Sequence, residues 1–394
     1  MGSAHSSRSL LPSSHPSERA KLISSMIESL HISGFKLFRD ITLPRLGRLN
    51  LFVGENNTGK SCLLEAIRLY AGRSPVADVL LAAAARSPEE LRLWDSDGLS
   101  EEGVPVLHPV FGLFHRTDDV AKGIVIESIG DSSPLRIGCL ARPMVTDGAG
   151  FGRYVPLTYG EALLPEGVEM ALVVFRGDRQ VGLVTRQLLQ TNLLAGDRAQ
   201  DGERFLNDDA SSVAFLPAKG LSDEKAATMW DALVQGPGQE LVLGWLRILD
   251  SQIQDLAYIG RKYGRLALLK TGGQGRVPLQ SVGDGLTKLF HIALAVASAP
   301  KGVLLIDEFE NGLHWSVQEK LWLALAKAAG EFNVQIFCTT HSRDCIEGFA
   351  AAAKEAGPDG AAIYRLERKG DDILATDLPL INVAAAMREH VEVR

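Results

Sequence analysis

Residues 54–61, GENNTGKS, carry glycine, lysine and serine at the spacing of a phosphate-binding loop. Gly54, Gly59, Lys60 and Ser61 match the pattern G-x-x-x-x-G-K-[ST] at every fixed position. Glycines let backbone N–H groups curve around a polyphosphate, and the lysine ammonium can reach its outer phosphates. The serine hydroxyl is a ligand that Mg²⁺ accepts. The segment therefore predicts a site for a nucleoside triphosphate and its metal.

Two adjacent carboxylates, Asp307 and Glu308, follow the apolar run 302–306. Such a run is typical of a strand that is buried on both faces of a parallel sheet. Ligands of open α/β sheets bind beyond the carboxyl ends of those strands. Asp307 is the candidate to hold Mg²⁺, directly or through water. Glu308 is the candidate to orient and polarise the water that attacks the terminal phosphate.

A second apolar strand is predicted over residues 334–340 and ends at His341. The neighbouring residues Thr339, Thr340 and Ser342 are polar, so this strand end also favours a binding edge. We expect His341 to sense or hold the terminal phosphate. A satisfied structural histidine is the alternative reading of the same residue.

The segment 281–285 presents Ser281, Gly283 and Gly285 at the start of a helix predicted over residues 286–297. Its N–H groups and hydroxyl resemble a second anion site. One triphosphate does not need two such sites from the same subunit. We therefore expect a two-fold dimer in which each helix start caps the partner's nucleotide.

The elements that position these groups follow from apolar patterns. A buried strand over residues 49–53 precedes the phosphate loop, and an amphipathic helix over 62–70 follows it. Short strands separated by Gly, Pro and Asp turns are predicted over 123–186, forming an antiparallel sheet. One or two helices are expected within 73–97, and two more are joined at residues 236–238.

The bulk composition excludes several classes of protein. The chain has 394 residues, of which 46% are hydrophobic and 23% charged, and no run reaches the roughly 18 apolar residues of a membrane span. The Ser-rich residues 1–26 predict a disordered leader without a signal peptide, and hence a cytoplasmic protein. A net charge of −7 disfavours a basic coat for nucleic acid but leaves room for a local basic groove. Reduced thiols, and no zinc site, are expected of Cys62, Cys139, Cys338 and Cys345.

The order of these motifs resembles that of the ABC-type ATPases. The stretch ENGLHW after the carboxylates is similar to the corresponding loop of the SMC, RecF and OLD-like branch. The block from QSVGDGLTKLF to HWSVQEKLW is similar to stand-alone OLD-like, AAA-type bacterial ATPases, which recur beside phage-defence effectors. The resemblance covers about residues 27–73 and 215–394. It implies an α/β fold of the ABC/SMC-head kind, with a mixed sheet and a helical and β insertion.

The resemblance also implies a role for each matching residue. ATP and Mg²⁺ are the implied ligands, Ser61 and Asp307 the metal contacts, and Glu308, His341 and Lys60 the catalytic groups. Serine and glycines of the segment 281–285 would contact the opposite subunit's ATP, and residues 311–314 would line the dimer seam. Phosphate binding would fall to Gly54, Asn56, Asn57, Thr58, Gly59, Lys60, Ser61 and Cys62.

The implied organisation is a single ATPase domain over residues 27–394, with 74–280 inserted between the phosphate loop and the serine-glycine segment. One departure stands out, because no glutamine occurs between Lys60 and Gln180. The glutamine loop of transport-type relatives therefore has no assigned residue, and coupling to a membrane transporter is disfavoured.

Three functions remain open at this point. The first is an ATP-sandwiched homodimer that acts as sensor or scaffold for a separately encoded nuclease or toxin, in antiphage defence or DNA processing. The second is a RecF-like repair ATPase that binds DNA directly, for which the basic residues Arg261, Lys262, Arg265 and Lys270 are candidates. The third is a nucleotide-gated binding module with negligible turnover. Lys219, in a loop after a strand, reads as a surface lysine.

Overall fold

The structure, a computed structural model, describes residues 26–72, 112–143, 155–156, 168–185, 213–234, 236, 238–261, 264–273, 275–355 and 360–383. Residues 1–25 of the predicted leader and the helices expected within 73–97 lie outside the described residues.

The described part of the chain contains runs of consecutive strands in its first two thirds and alternating helices and strands from residue 284 onward. Two 3₁₀ turns accompany them, at Thr117–Lys122 and Leu279–Ser281. The elements are β1 (Leu30–Phe35), β2 (Phe38–Leu43), β3 (Leu49–Val53), α1 (Lys60–Ala71), β4 (Ile124–Glu127), β5 (Leu135–Pro143), β6 (Val155–Pro156), β7 (Val168–Arg176), β8 (Arg179–Thr185), β9 (Val213–Leu216), α2 (Asp223–Leu233), α3 (Gly238–Leu246), β10 (Ile253–Arg261), β11 (Gly264–Thr271), β12 (Arg276–Pro278), α4 (Asp284–Ala297), β13 (Val303–Ile306), α5 (Trp315–Glu331), β14 (Gln335–Thr340), α6 (Arg343–Glu355), β15 (Ala361–Lys369) and β16 (Asp372–Asp377).

A six-stranded sheet carries the predicted site. Its order is β16-β15-β3-β14-β13-β9, and five of its strands are parallel, with β16 antiparallel at one edge. Every residue of β3 and of β14 is buried, as expected of central strands covered on both faces. Strand β9 lies within the predicted insertion and pairs with β13 in this sheet.

A second sheet is antiparallel and has the order β2-β1-β4-β5-β7-β8, with β6 beside β5. It packs through Leu30, Ile126 and Leu172 into the same apolar cluster as α1, and so supports the helix that follows the phosphate loop. A third sheet, β10-β11-β12, leads into α4. The predicted α/β class, with its parallel core and flanking antiparallel strands, is confirmed.

Helix α4 is the central helix of the larger apolar cluster. Its residues from Lys288 to Val296 are all buried, which is the pattern of a helix enclosed on all sides. It packs among α2, α3 and the strand β9. The helix begins at Asp284, two residues earlier than the sequence pattern predicts. None of the helices in the described part is long and apolar enough to cross a membrane.

A buried histidine on α4 makes the fold sensitive to acid. His291 is 7% exposed, and its Nδ1 accepts a hydrogen bond from the Leu221 backbone N–H at 3.2 Å. Burial, together with the charge of Lys288, lowers the pKa of His291 to about 4. The folded pKa thus lies below the unfolded value of about 6.5. Between these two values the unfolded chain binds more protons, so stability falls as the pH falls.

We therefore expect acid to destabilise the wild type more than a variant without this imidazole. Between pH 7 and pH 4 the loss attributable to His291 is about 3 kcal/mol. In His291→Asn the side-chain oxygen can still accept the Leu221 bond but does not titrate. Urea unfolding at both pH values measures the difference. Equal losses in the wild type and the variant would contradict this role.

Candidate active site

The parallel register places the three predicted motifs at one edge of the sheet. Thr340 pairs with Val53, while Ile306 pairs with both Cys338 and Leu216. The chain therefore leaves β3, β13 and β14 at neighbouring positions. These exits are the phosphate loop (residues 54–61), the acid turn (residues 307–311) and His341.

The phosphate loop has the backbone of an anion cradle. Asn57 and Gly59 adopt left-handed conformations, with φ of 63° and 89°, whereas Thr58 between them does not. Successive N–H groups can then converge on one anion. At Gly54, φ is 146°, and an added Cβ would collide with the Leu366 carbonyl oxygen, so only glycine fits there. No described side chain caps the start of α1, which leaves its first N–H groups facing the loop.

Lys60 is buried and its ammonium is held by the loop itself. Nζ donates to the carbonyl oxygens of Gly54 and Glu55, both at 2.7 Å. Burial lowers the pKa of Lys60, while the charges of Asp307, Glu310 and Glu308 oppose that shift. The ammonium therefore lies between the loop and the acidic residues, where a triphosphate would need its positive charge.

A hydrogen bond joins the phosphate loop to the acid turn. Ser61 Oγ donates to Asp307 Oδ2 at 2.9 Å, across 246 residues of sequence. The other carboxylate oxygen, Oδ1, accepts from Thr339 Oγ1 at 2.5 Å. A hydroxyl and a carboxylate at this separation are the oxygen donors that Mg²⁺ prefers. The predicted metal ligands, Ser61 and Asp307, are thus brought together.

The acid turn is fixed to the end of β14. The Glu308 backbone N–H donates to Thr339 Oγ1 at 2.8 Å, and the Phe309 N–H donates to the Thr339 carbonyl at 3.0 Å. Glu308 has a φ of 46°, and its Oε2 accepts a hydrogen bond from Asn311 Nδ2. Phe309 is fully buried and stacks on Trp322, with the ring centroids 4.3 Å apart. These contacts orient the Glu308 carboxylate beside Asp307.

His341 contacts a carboxylate that our sequence analysis did not select. Glu310 Oε1 accepts from the His341 backbone N–H at 2.8 Å and lies 3.0 Å from its ring Nδ1. The Glu310 side chain is 9% exposed, and its Oε2 has no hydrogen-bond partner among the described residues. A second acid two positions after Glu308 was the available sequence signal.

Lys288 is a second buried ammonium that the sequence analysis missed. Its Nζ donates to the carbonyl oxygen of Glu308 at 3.2 Å and lies 3.5 Å from that of Asp307. Burial lowers the pKa of Lys288, and surrounding negative groups oppose the shift. Because Lys288 lies on α4, it connects the helix that follows the serine-glycine segment to the back of the acid turn.

The serine-glycine segment, hereafter the signature turn (residues 281–285), lies on the surface of the subunit. Residues 281–284 are exposed, and Ser281 Oγ donates to the Pro278 carbonyl at 2.7 Å. Gly283 is the N-cap residue of α4, with open space around it. A Cβ on Gly285 would lie 2.9 Å from the Gly312 carbonyl oxygen, so this glycine permits close packing against the loop after the acid turn.

The remaining predicted residues divide between surface and core. Asn56 and Asn57 are exposed on the rim of the phosphate loop, and Thr58 Oγ1 donates to the Glu55 carbonyl at 2.8 Å. The side chain of Cys62 packs in the apolar cluster around α1, so only its backbone faces the loop. Asn311, as described above, contacts Glu308 rather than lying apart from the site.

The basic segment on the third sheet is partly neutralised. Arg265 makes two hydrogen bonds to the Asp231 carboxylate, at 2.6 and 2.9 Å, and Arg276 contacts Asp255 at 2.6 Å. Lys262 lies outside the described residues. This pairing reduces the charge that Arg265 could offer to a phosphate backbone.

Two family models match the chain, and together they span the motifs of the site. The model described as "AAA domain, putative AbiEii toxin, Type IV TA system" matches residues 183–344. The model described as "AAA ATPase domain" matches residues 26–93. The first match contains the signature turn, the acid turn and His341, and the second contains the phosphate loop.

Similar proteins occur in bacteria and archaea, and similar solved structures are SMC heads. An ATP/GTP phosphatase of Helicobacter pylori is 23% identical over 343 residues, which are 82% of this chain and 87% of the relative. The protein MJECL11 of Methanocaldococcus jannaschii is 34% identical over 108 residues, 27% of this chain and 93% of the relative. The SMC head from Thermotoga maritima is 14% identical with a TM-score of 0.39, covering 89% of this chain and 98% of that one. An SMC head bound to the C-winged helix domain of ScpA is 14% identical with a TM-score of 0.47, covering 92% and 100%.

Proposed function

We propose that this chain, which is an AAA-type ATPase, hydrolyses ATP as a two-fold dimer with the nucleotides in the seam. The observation that carries the catalytic part is the Ser61–Asp307 hydrogen bond at 2.9 Å. It joins the phosphate loop to the acid turn in a single subunit. The phosphate loop and the acid turn therefore already lie together within one subunit, without a partner.

The donor set fits Mg²⁺, which would be held by the Ser61 hydroxyl and the Asp307 carboxylate. Bound there, the ion would neutralise charge on the β- and γ-phosphates. Lys60 would exchange its two carbonyl contacts for phosphate oxygens, since a charge-assisted bond to an anion is stronger than one to a neutral carbonyl. The N–H groups of residues 57–61 would hold the phosphates.

Glu308 would accept the proton of the attacking water. Its backbone is fixed by Thr339, and its Oε2 is held by Asn311, so the carboxylate has one oriented oxygen to offer. Its position one residue after Asp307 places it beside the proposed metal ligand. His341, at the end of the neighbouring strand, would contact the terminal phosphate.

The dimer is supported by the exposure of the signature turn. Among the described contacts, no residue of this turn hydrogen-bonds to the phosphate loop of the same subunit. The turn nevertheless contains the N-terminus of α4, and a helix N-terminus favours anions. Two large apolar side chains are also exposed, Val282 within the turn at 45% and Trp315 at the start of α5 at 64%. The Gly285–Gly312 contact brings the segments that carry them together. A second copy of the chain would cover this surface.

Trp315→Ala is expected to weaken the ATP-dependent dimer by about 30-fold or more. A central Trp at an interface typically contributes at least about 2 kcal/mol. Sedimentation velocity of the Glu308→Gln background with ATP measures the dimer constant. Leu323→Ala removes another exposed apolar side chain from α5 and serves as the control. An unchanged dimer constant in Trp315→Ala would place the seam elsewhere.

We further propose that the dimer controls a separately encoded effector, a nuclease or toxin. The words "toxin" and "TA system" in the first family description support a system of more than one component. Affinity capture from the native host, with Glu308→Gln as the ATP-locked form and Lys60→Ala as the ATP-free control, tests it. An effector enriched only with the locked form is expected. Recovery of permease subunits alone would contradict the proposal, and ATP-dependent DNA binding by the chain alone would favour the RecF-like alternative.

A further inference from the structure

The Glu310–His341 contact is more specific than a surface ion pair. One carboxylate oxygen, Oε1, receives both the backbone N–H of His341, at 2.8 Å, and its ring Nδ1, at 3.0 Å. A carboxylate accepts hydrogen bonds and does not donate them, so Nδ1 carries the proton. Nε2 is then the ring nitrogen that Glu310 does not engage. The side chain of His341 is 46% exposed, whereas that of Glu310 is 9% exposed.

The position of Glu310 is determined by the core. The preceding residue, Phe309, is fully buried and stacks on Trp322, which in turn meets Phe349 edge-on at 5.0 Å. The Glu310 carbonyl accepts a hydrogen bond from the Leu313 N–H at 2.9 Å. The carboxylate therefore approaches His341 from a rigid support rather than from a loose loop.

Burial of this carboxylate is costly and indicates a use for its charge. Glu310 Oε2 is buried and has no hydrogen-bond partner among the described residues. An acid with a bare buried oxygen is destabilising unless a nearby cation compensates it. The charge of Glu310 acts on both Lys60 and Lys288, where it opposes the lowering of their pKa values by burial. The charge of Glu310 therefore acts on both buried lysines of the active site.

We propose that Glu310 is a positioning residue that holds His341 in the Nδ1–H form and presents Nε2 to the terminal phosphate of ATP. The inference rests on the proposed function, because it requires His341 to face the nucleotide. With the Nδ1 proton committed to Glu310, a proton taken up from solvent at Nε2 when ATP binds gives the imidazolium, whose Nε2–H then donates to a phosphate oxygen. The buried carboxylate stabilises that cation from the opposite side of the ring. Glu308 remains the base.

A double-mutant cycle tests whether Glu310 acts through His341. Glu310→Gln is expected to lower kcat about 10- to 100-fold while changing the KM for ATP less than about threefold. His341→Ala should have a similar effect, and the double variant should be no slower than His341→Ala alone. Glu347→Gln, which changes an exposed carboxylate on α6, is the matched control. The proposal would be overturned if the losses in kcat of the two single variants multiplied in the double variant, or if Glu310→Gln kept the wild-type kcat.

The tautomer itself can be observed without nucleotide. Nitrogen-15 NMR of the histidine rings in the full chain, with His341 assigned by its loss in His341→Gln, should show a protonated Nδ1. Glu310→Gln should shift the ring toward a mixture of tautomers. A wild-type ring with a bare Nδ1 would overturn the inference even if the ATP-bound dimer forms. Conversely, a protein that never dimerises but shows the protonated Nδ1 would contradict the proposed dimer and leave this hydrogen bond standing.

Discussion

Glu308→Gln is expected to lower ATP turnover by about 10²–10⁴-fold and to accumulate the ATP-bound dimer. The amide keeps the size of the side chain and can still contact Asn311, but it does not accept the proton of the attacking water. Lys60, Ser61 and Asp307 are unchanged, so ATP should bind as in the wild type. Single-turnover hydrolysis and the sedimentation coefficient with ATP measure the two halves of the prediction.

Glu355→Gln is the matched control for this variant. Glu355 is exposed at the end of α6, and its amide should leave turnover unchanged. Equal turnover in the wild type and Glu308→Gln would show that the chain closes on ATP without using this base. The nucleotide-gated module would then be the better description of the protein.

Lys60→Ala is expected to weaken ATP binding by about 10²–10⁴-fold. Each charge-assisted hydrogen bond to a phosphate contributes about 1.5–3 kcal/mol, and the ammonium now makes two contacts that ATP would replace. The substitution also removes the cation that faces Asp307 and Glu310. Equilibrium binding of a fluorescent ATP analogue measures the loss directly.

Lys327→Ala removes an ammonium from the exposed face of α5 and should bind ATP like the wild type. Thermal unfolding of both variants without nucleotide separates a binding defect from a folding defect. If Lys60→Ala bound ATP within about threefold of the Lys327→Ala control, the phosphate loop would not be the nucleotide site.

The elements that carry the motifs could be predicted because their signals are local. Apolar runs marked β3, β13 and β14 to within one residue at each end, since central parallel strands must be buried on both faces. The strands β4, β5, β7 and β8 lie within residues 123–186, where short antiparallel strands separated by turn residues were predicted, but their ends were less accurately predicted. Once β3, β13 and β14 pair in parallel, their carboxyl ends meet, and the phosphate loop and Asp307 come together.

The contacts that orient the site could not be predicted, because they join residues distant in sequence. Thr339 positions Glu308 from 31 residues away, and Lys288 reaches the same turn from 20 residues upstream. No spacing rule connects such positions before the register of the strands is known. Glu310 differs, since it lies in the acid turn. Its role could not be predicted from the sequence, because Asp307 and Glu308 already supply the two carboxylates that the expected chemistry needs.

If two copies of the chain enclose two ATP molecules, the mass of the protein in solution must double when ATP binds. Sedimentation velocity of Glu308→Gln with saturating ATP and Mg²⁺ should give twice the mass of one chain, and Lys60→Ala should stay at a single chain under the same conditions. Wild-type turnover per chain should rise with protein concentration. A single-chain mass for Glu308→Gln with ATP, together with wild-type turnover that is independent of protein concentration, would rule out the two-fold dimer.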